Sequence, residues 1–256
     1  MRRIGRPDFH VTEIFDEIGS RYGWPAEAAL ADIRAAMVHA ESRVGALIDG
    51  DFEPPTNALP PGTSKSDYVS LYDTHLVRKE SAGRKYYDRL RKASLKCAYC
   101  QSNEADTLDH YFEKAQFGLT SIVPLNLVPA CQICNKKLTG ESYKVFPYFE
   151  DLSITQWLGA EVLSDPLSAV FHVKSELAID DGIARRLRAT FDRLEFASRL
   201  WTTQSSQIHA TSRQLATLAT DEDRLEHLAA RISGFDDLND PTRVVLSEMA
   251  KQRRFR

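Results

Sequence analysis

The segment from Cys97 to Lys137 holds every cysteine of the chain: CAYC at 97–100, TLDHYFEK at 107–114 and PLNLVPACQICNKK at 124–137. The cysteines form two Cys-x-x-Cys pairs, Cys97/Cys100 and Cys131/Cys134. Four thiolates in two short knuckles match the tetrahedral demand of a structural Zn²⁺. Such a zinc is fully coordinated and does no chemistry, but its binding contributes on the order of 10 kcal/mol to folding. We therefore expect a zinc-braced unit whose catalytic groups are other residues.

Three residues between and beside the knuckles have the chemistry for hydrolysis. Asp109 and Asn135 offer hard oxygen ligands, which suit Mg²⁺ or Mn²⁺ and leave coordination positions for phosphate oxygens and water. His110 follows Asp109 directly. With an ordinary pKa of about 6.5, a histidine can take a proton from attacking water at neutral pH.

This order of residues resembles that of the HNH endonucleases, a family with a ββα-metal fold that is also found in phage junction resolvases. The resemblance covers about a sixth of the chain and implies that His110 is the general base. It implies that Asp109 and Asn135 bind the catalytic metal and that Asn126 orients the loop that carries the base. Many relatives have a proline where this chain has Glu113, so Glu113 either faces solvent, which we favour, or contacts the metal.

Other functions are compatible with part of this pattern. Two Cys-x-x-Cys pairs also occur in zinc ribbons that bind only nucleic acid or protein, and in such a module Asp109, His110 and Asn135 would have no catalytic role. A redox function is disfavoured because it needs one Cys-x-x-Cys opening a helix of a βαβ unit. A secreted disulfide framework is disfavoured by four cysteines in 256 residues and by the absence of a signal peptide.

The composition is that of a globular protein, with 43% hydrophobic and 27% charged residues. No run approaches the roughly 20 apolar residues of a membrane span, so we expect a cytoplasmic protein without membrane contact. The net charge is -3. Nucleic-acid binding must therefore depend on local basic patches rather than on a general positive field.

The chain divides into three predicted regions: 1–63, 64–150 and 151–256. In the first, apolar residues at helical spacing after Pro25 predict a long helix that ends near Gly50, with a stripe that suits either the core or a dimer contact. Residues 51–63 contain four prolines and predict an extended linker. The stripe consists of Leu30, Ile33, Met37, Ala40, Val44 and Leu47.

A basic helix is predicted over 81–94, directly before the first knuckle. It would lie along a phosphate backbone or be a solvated face, and its position beside the predicted site favours DNA contact. The candidate DNA-binding residues, which include two lysines after Asn135, are Arg84, Lys85, Arg89, Arg91, Lys92, Lys136 and Lys137.

The third region predicts one strand at 167–174 and a long amphipathic helix from Ile183 that continues to about residue 219. Two further helices are expected to begin at Asp221 and at Asp240-Pro241. The predicted fold is mainly α with a small α+β insert: a zinc-braced ββα finger flanked by helical regions on both sides.

The resulting hypothesis is a metal-dependent endonuclease that cuts DNA, with duplex DNA as the substrate that the resemblance implies. A single HNH chain with helical extensions also resembles the nuclease subunits of bacterial anti-phage systems, some of which pair with a separate ATPase. The resemblance therefore also implies a defence role and an ATPase partner. The competing hypothesis is a non-catalytic zinc ribbon that binds DNA or protein.

Overall fold

The computed structural model describes residues 1, 3–26, 28–47, 54–141, 143–164 and 167–253. The chain forms two compact units, Met1–Glu150 and Asp151–Arg256. The Cys-rich segment and the helices of residues 1–63 belong to the same unit, whereas the sequence predicted a boundary near residue 63. The three-region division stays a prediction, and the part of its linker at 51–53 lies outside the described residues. About half of the structure is helical, with two small two-stranded sheets, which confirms the predicted fold class.

The first unit combines short helices with one antiparallel pair of strands. Its α-helices are α1 (Val11–Ile18), α2 (Leu30–Ala46), α3 (Lys65–Ser70), α4 (Arg84–Lys92) and α5 (Gln132–Leu138). Its strands are β1 (Thr107–His110) and β2 (Leu127–Ala130). A π-helical turn, Leu71–Leu76, extends α3, and single 3₁₀ turns occupy Gly19–Arg21, Gly118–Thr120 and Pro124–Asn126.

The predicted long helix of the N-terminal region begins later than expected. Pro25 lies in a turn, in which the Ala28 N–H donates to the Pro25 carbonyl at 2.9 Å, and α2 starts only at Leu30. Its predicted end at Gly50 lies outside the described residues. The stripe of α2 is buried in its own unit from Ile33 to Leu47, with Leu30 exposed. This stripe therefore serves the core and is not available for the dimer contact that the sequence allowed.

The ββα finger forms where the sequence predicted it. Strands β1 and β2 are antiparallel, with Asp109 opposite Val128 and His110 opposite Leu127. Helix α5 begins directly after Cys131 and packs against β1, while α4 packs against both strands. The Tyr148 hydroxyl donates to the Leu127 carbonyl at 2.8 Å and thereby attaches the following segment to β2.

The second unit is a β-hairpin packed on helices. It contains β3 (Leu158–Ser164), β4 (Leu167–Val173), α6 (Asp181–Arg193), α7 (Phe196–Ala216), α8 (Asp221–Ser233) and α9 (Pro241–Gln252). The hairpin packs on α7 and α9. Asn239, 6% exposed, accepts from the backbone N–H groups of Trp157 and Leu158 and donates to the carbonyls of Leu152 and Thr155. This amide therefore holds the start of β3.

One expectation for the second unit was wrong, and one strand was not anticipated. Strand β3 was not predicted, because only the alternation in β4 was clear from the sequence. The single helix predicted from Ile183 is interrupted after Arg193, where Glu195 adopts a left-handed backbone with φ 54°. This conformation is uncommon for residues other than glycine and separates α6 from α7. In the part of the chain that the structure describes, no helix is long and apolar enough to cross a bilayer.

Candidate active and metal-binding site

The four cysteines converge at one point of the finger. All four are buried and free of disulfides, and their Sγ atoms lie within 4.8 Å of one another. The Sγ atoms of Cys100 and Cys131 are 3.9 Å apart. Tetrahedral zinc with Zn–S bonds of about 2.3 Å requires sulfur separations of roughly 3.8 Å. The residues present therefore fit zinc, and the cluster indicates a zinc site.

The four thiols lie close enough to hydrogen-bond with one another. The hydrogen bond from Cys100, followed by those from Cys134 and Cys97, lowers the pKa of the Cys131 thiol far below its ordinary value. The Asn103 side-chain amide also approaches the Cys131 sulfur, at 3.6 Å. The site therefore favours thiolate at Cys131, which is the form that binds a metal.

Asp109 lies on β1 and is 2% exposed. Its Oδ2 atom accepts from the Tyr99 hydroxyl at 2.7 Å and from Nζ of Lys144 at 2.7 Å. Burial raises the pKa of the Asp109 carboxyl, although the charge of Lys144 and both hydrogen bonds act to lower it. Lys144 was not singled out in the sequence, yet it is 1% exposed and is the partner of the predicted metal ligand.

His110 is the next residue of β1 and is 8% exposed. Its Nε2 lies 2.9 Å from the Ser121 carbonyl oxygen, and its ring makes an edge contact with Tyr72 at 4.4 Å between centroids. A carbonyl oxygen only accepts, so Nε2 carries the proton and the Nδ1 lone pair is open in the neutral ring. Burial lowers the pKa of His110 to about 3, which keeps the ring neutral at pH 7.

Asn126 braces the loop that follows His110. Its Oδ1 accepts from the Phe112 N–H at 2.7 Å, and its Nδ2 donates to the carbonyls of Phe112 (3.0 Å) and Thr120 (3.1 Å) and to Thr120 Oγ1 (3.0 Å). The Asn126 backbone carbonyl accepts from the Tyr111 N–H at 2.8 Å. Asn126 is fully buried. All four of its side-chain hydrogen bonds go to Phe112 and Thr120 in the loop after His110, as expected of an orienting residue.

Asn135 lies on α5 and is half-buried. Its Nδ2 donates to the Leu108 carbonyl at 3.1 Å, so the side chain reaches the residue before Asp109. Among the described residues, Oδ1 of Asn135 and Oδ1 of Asp109 accept no hydrogen bond. These two hard oxygen atoms fit Mg²⁺ or Mn²⁺. No second group of three or more His, Cys, Asp or Glu ligands occurs within the described ranges.

The basic residues of α4 are largely paired with acidic side chains. Arg84 pairs with Asp88, Lys85 with Glu17, and Arg89 with Asp8 at 2.6 Å. Arg91 lies 3.9 Å from Glu104. These contacts reduce the positive field that the sequence suggested. Lys92 is exposed and forms no ion pair with the described residues, and Lys136 on α5 is also exposed. Lys137 lies on the same helix and is half-buried.

Lys144 and Tyr99 are the site residues that the sequence reasoning missed. Tyr99 lies inside the first knuckle, and a tyrosine between two zinc-binding cysteines is a weak signal because aromatic residues are common in small cores. Lys144 lies 35 residues from Asp109, and no local spacing connects them. Only the packing of the segment after α5 against β1 brings the ammonium to the carboxylate.

Comparisons with known proteins agree with this geometry. Residues 97–141 match the family model described as HNH endonuclease. The chain is 25% identical over 209 residues to "Protein ea31" of Escherichia phage lambda, an alignment that covers 73% of this chain and 71% of that protein. No solved structure gave a significant match. The chain therefore carries an HNH endonuclease domain at residues 97–141, and this domain indicates a nuclease that acts on DNA.

Proposed function

We propose that this protein is a metal-dependent endonuclease that hydrolyses phosphodiester bonds of duplex DNA at the Asp109–His110 strand. The observation that carries the proposal is the position of His110. Its ring is neutral, its tautomer is set by the Ser121 carbonyl, and it follows a carboxylate that retains one oxygen without a hydrogen-bond partner. A zinc ribbon that only binds nucleic acid or protein would not require a neutral histidine directly after such a carboxylate.

In the proposed reaction, Nδ1 of His110 removes a proton from a water molecule that attacks phosphorus. The bond from phosphorus to the 3′ oxygen breaks and the leaving oxygen takes a proton from solvent water, so the products carry a 5′ phosphate and a 3′ hydroxyl. Removal of a proton by a positioned base typically contributes 10²- to 10⁴-fold to a rate. The edge contact from Tyr72 and the bond to Ser121 keep the ring in one orientation.

Asp109 and Asn135 would hold one Mg²⁺ or Mn²⁺ through their Oδ1 atoms. When bound, such an ion would stabilise charge on the phosphate oxygens and on the leaving 3′ oxygen. Asn126 acts through the backbone, because its four side-chain hydrogen bonds fix the loop from Phe112 to Thr120 after the base. The four cysteines would hold one structural zinc, which fixes the two knuckles and with them β1 and α5.

The scissile phosphate would approach Asp109 and His110 at the edge of the finger, where a small part of each residue is exposed. Lys92, Lys136 and Lys137 would contact the backbone there, with the remaining basic residues of α4 in support. An open groove of about 610 Å³ beside α4 is lined by both acidic and basic residues, including Asp8 and Arg89. DNA would have to compete with these ion pairs.

The defence role, the ATPase partner and the cytoplasmic location stay predictions from the sequence. The defence role and the ATPase partner together describe a nuclease that is active only with a partner or trigger. Free cutting of DNA by the purified chain would remove most of the support for this regulated version while leaving the nuclease itself intact.

The proposal is tested by incubating the purified protein with supercoiled plasmid in Mg²⁺, Mn²⁺ or EDTA. We expect nicking or linearisation that requires the divalent ion. The matched variants are Asn135→Ala, which removes the oxygen ligand and should abolish cutting, and Asn135→Asp, which keeps an oxygen and should retain it. Zinc content should be unchanged in both. DNA binding with no cleavage under any metal, even with candidate partners added, would favour the zinc-ribbon alternative.

A further inference from the structure

The buried lysine beside the candidate metal ligand has no role in the mechanism described so far. Lys144 follows α5, and its Nζ lies 2.7 Å from Asp109 Oδ2 and 3.1 Å from the His110 carbonyl oxygen. Its own backbone carbonyl accepts from the Tyr111 hydroxyl at 3.0 Å. One ammonium group thus contacts both residues of the Asp109–His110 pair.

This contact fixes which carboxylate oxygen is available. Oδ2 of Asp109 already accepts from Lys144 and Tyr99, so Oδ1 is the oxygen left for an ion. Both partners of the ion pair are almost fully buried, at 1% and 2% exposure. Solvent therefore screens their charges little, and the ammonium lies within a few ångström of any cation on Oδ1.

The net charge around the site is close to zero. Asp109 is neutralised by Lys144, and Asn135 is uncharged. Farther out, Glu113 acts on Asp109 as a negative charge and Lys114 acts on His110 as a positive one. Lys114 also pairs with the exposed Asp73.

Affinity for divalent cations in proteins depends strongly on the number of charged ligands. A site with one carboxylate, already paired with an ammonium, should hold Mg²⁺ or Mn²⁺ weakly. A phosphodiester of DNA supplies a negative charge that such a site lacks.

We propose that Lys144 is a positioning residue that makes metal binding at Asp109 and Asn135 depend on DNA. This inference rests on the proposed function. In the protein alone, the ammonium opposes the ion; with DNA bound, the scissile phosphate offsets that charge and the ion binds tightly. By linkage, the divalent ion must then strengthen DNA binding by the same factor. The ion pair thereby restricts assembly of the active site to the DNA complex.

The test is a titration of the zinc-loaded protein with Mn²⁺, followed by the EPR signal of the free ion. The His110→Ala background prevents cleavage, and each protein is measured alone and with a short duplex. We expect the duplex to tighten Mn²⁺ binding by roughly tenfold or more. Lys144→Met should bind Mn²⁺ about tenfold more tightly without DNA and should lose most of the gain from the duplex.

The matched control is Lys114→Met, the same change at a lysine that lies near the site but is 20% exposed and is paired with Asp73. Its charge is paired with Asp73 and, unlike Lys144, it does not contact Asp109, so Mn²⁺ affinity should change by less than about threefold. Zinc content and circular dichroism establish that each variant is folded. Should Lys144→Met not fold, the Mn²⁺ affinities of the background protein with and without duplex still test the proposal, because equal affinities would overturn it.

Tight Mn²⁺ binding by the protein alone, with no gain from the duplex, would overturn the role of Lys144 and leave the proposed function standing. Mn²⁺ binding by Lys144→Met that is unchanged, or weaker than in the background protein, would also overturn the role of Lys144 and leave the proposed function standing. If no Mn²⁺ binds with or without DNA, the proposed function itself fails and this inference fails with it.

Discussion

Asn126→Ala tests whether the loop after His110 is held by one buried amide. The substitution removes four hydrogen bonds and leaves the Phe112 N–H and the carbonyls of Phe112 and Thr120 without their side-chain partner. A buried polar group that loses its partner costs about 1–3 kcal/mol. Three such groups, partly rehydrated in the space left by the amide, predict a loss of roughly 3–5 kcal/mol in the free energy of unfolding.

Asn239→Ala is a closely matched control. Asn239 is also buried and its side chain also makes four hydrogen bonds, all to backbone groups, but it lies in the second unit. Urea unfolding, followed by circular dichroism, should show a similar destabilisation in both variants. Plasmid cleavage is then compared at a temperature where both remain folded.

We expect Asn126→Ala to cut at least about tenfold more slowly than Asn239→Ala under these conditions, because a displaced loop moves the base from its productive position. Equal cleavage rates in the two folded variants would refute the idea that Asn126 orients His110. A loss of less than about 1 kcal/mol in stability would refute the energetic reasoning.

Three further outcomes are expected. Cys131→Ser should lose the bound zinc and unfold the finger, and one retained zinc per chain by atomic absorption would contradict the four-sulfur site. His110 has a folded pKa of about 3 and an unfolded pKa of about 6.5, so the unfolded chain binds the extra proton between these values. As the pH falls from about 6 to about 4, the free energy of unfolding of the parent should decrease by about 1.4 kcal/mol per pH unit more than that of His110→Ala. Urea titrations measure both free energies, and equal slopes against pH would refute this prediction. Lys92→Ala should weaken DNA binding and lower its salt slope by about 0.9; a larger loss in Arg89→Ala, whose side chain is paired with Asp8, would contradict the assigned contact.

The zinc-braced finger could be predicted because its determinants are local. The spacing of Cys97, Cys100, Cys131 and Cys134 predicts the two knuckles, and the resemblance to the HNH endonucleases implied the two strands and the helix of the finger. The start of α5 at Gln132 follows from the same spacing, since the helix begins directly after Cys131. Each knuckle is a local feature of four residues, and the family resemblance supplied the order of the remaining elements.

The surroundings of the site could not be predicted in this way. The ion pairs of α4 join it to Asp8 and Glu17 near the N-terminus, so a helix that looks strongly basic in sequence is partly neutralised. Lys144 reaches Asp109 only through packing. In both cases the sequence shows the charge of a residue but not the charge of its tertiary neighbour.

The second unit shows a different limit of prediction from the sequence. The apolar positions of α6 and α7 are compatible with one continuous helix, and the interruption depends on the single left-handed residue Glu195. Glutamate carries no sequence signal for that conformation. Strand β3 was missed because only the alternation of β4 is clear in the sequence, and the Asn239 amide that holds the start of β3 lies 82 residues from Trp157 and 81 from Leu158.

The central claim, that His110 is the base of a phosphodiesterase site, is tested most directly by single-turnover cleavage of duplex DNA by the parent protein and by His110→Ala. DNA affinity, zinc content and thermal unfolding are measured on the same samples. We predict a cleavage rate about 10²- to 10⁴-fold lower in the variant, with one zinc retained and DNA affinity nearly unchanged. A folded His110→Ala protein that cuts DNA within about tenfold of the parent rate would contradict the account.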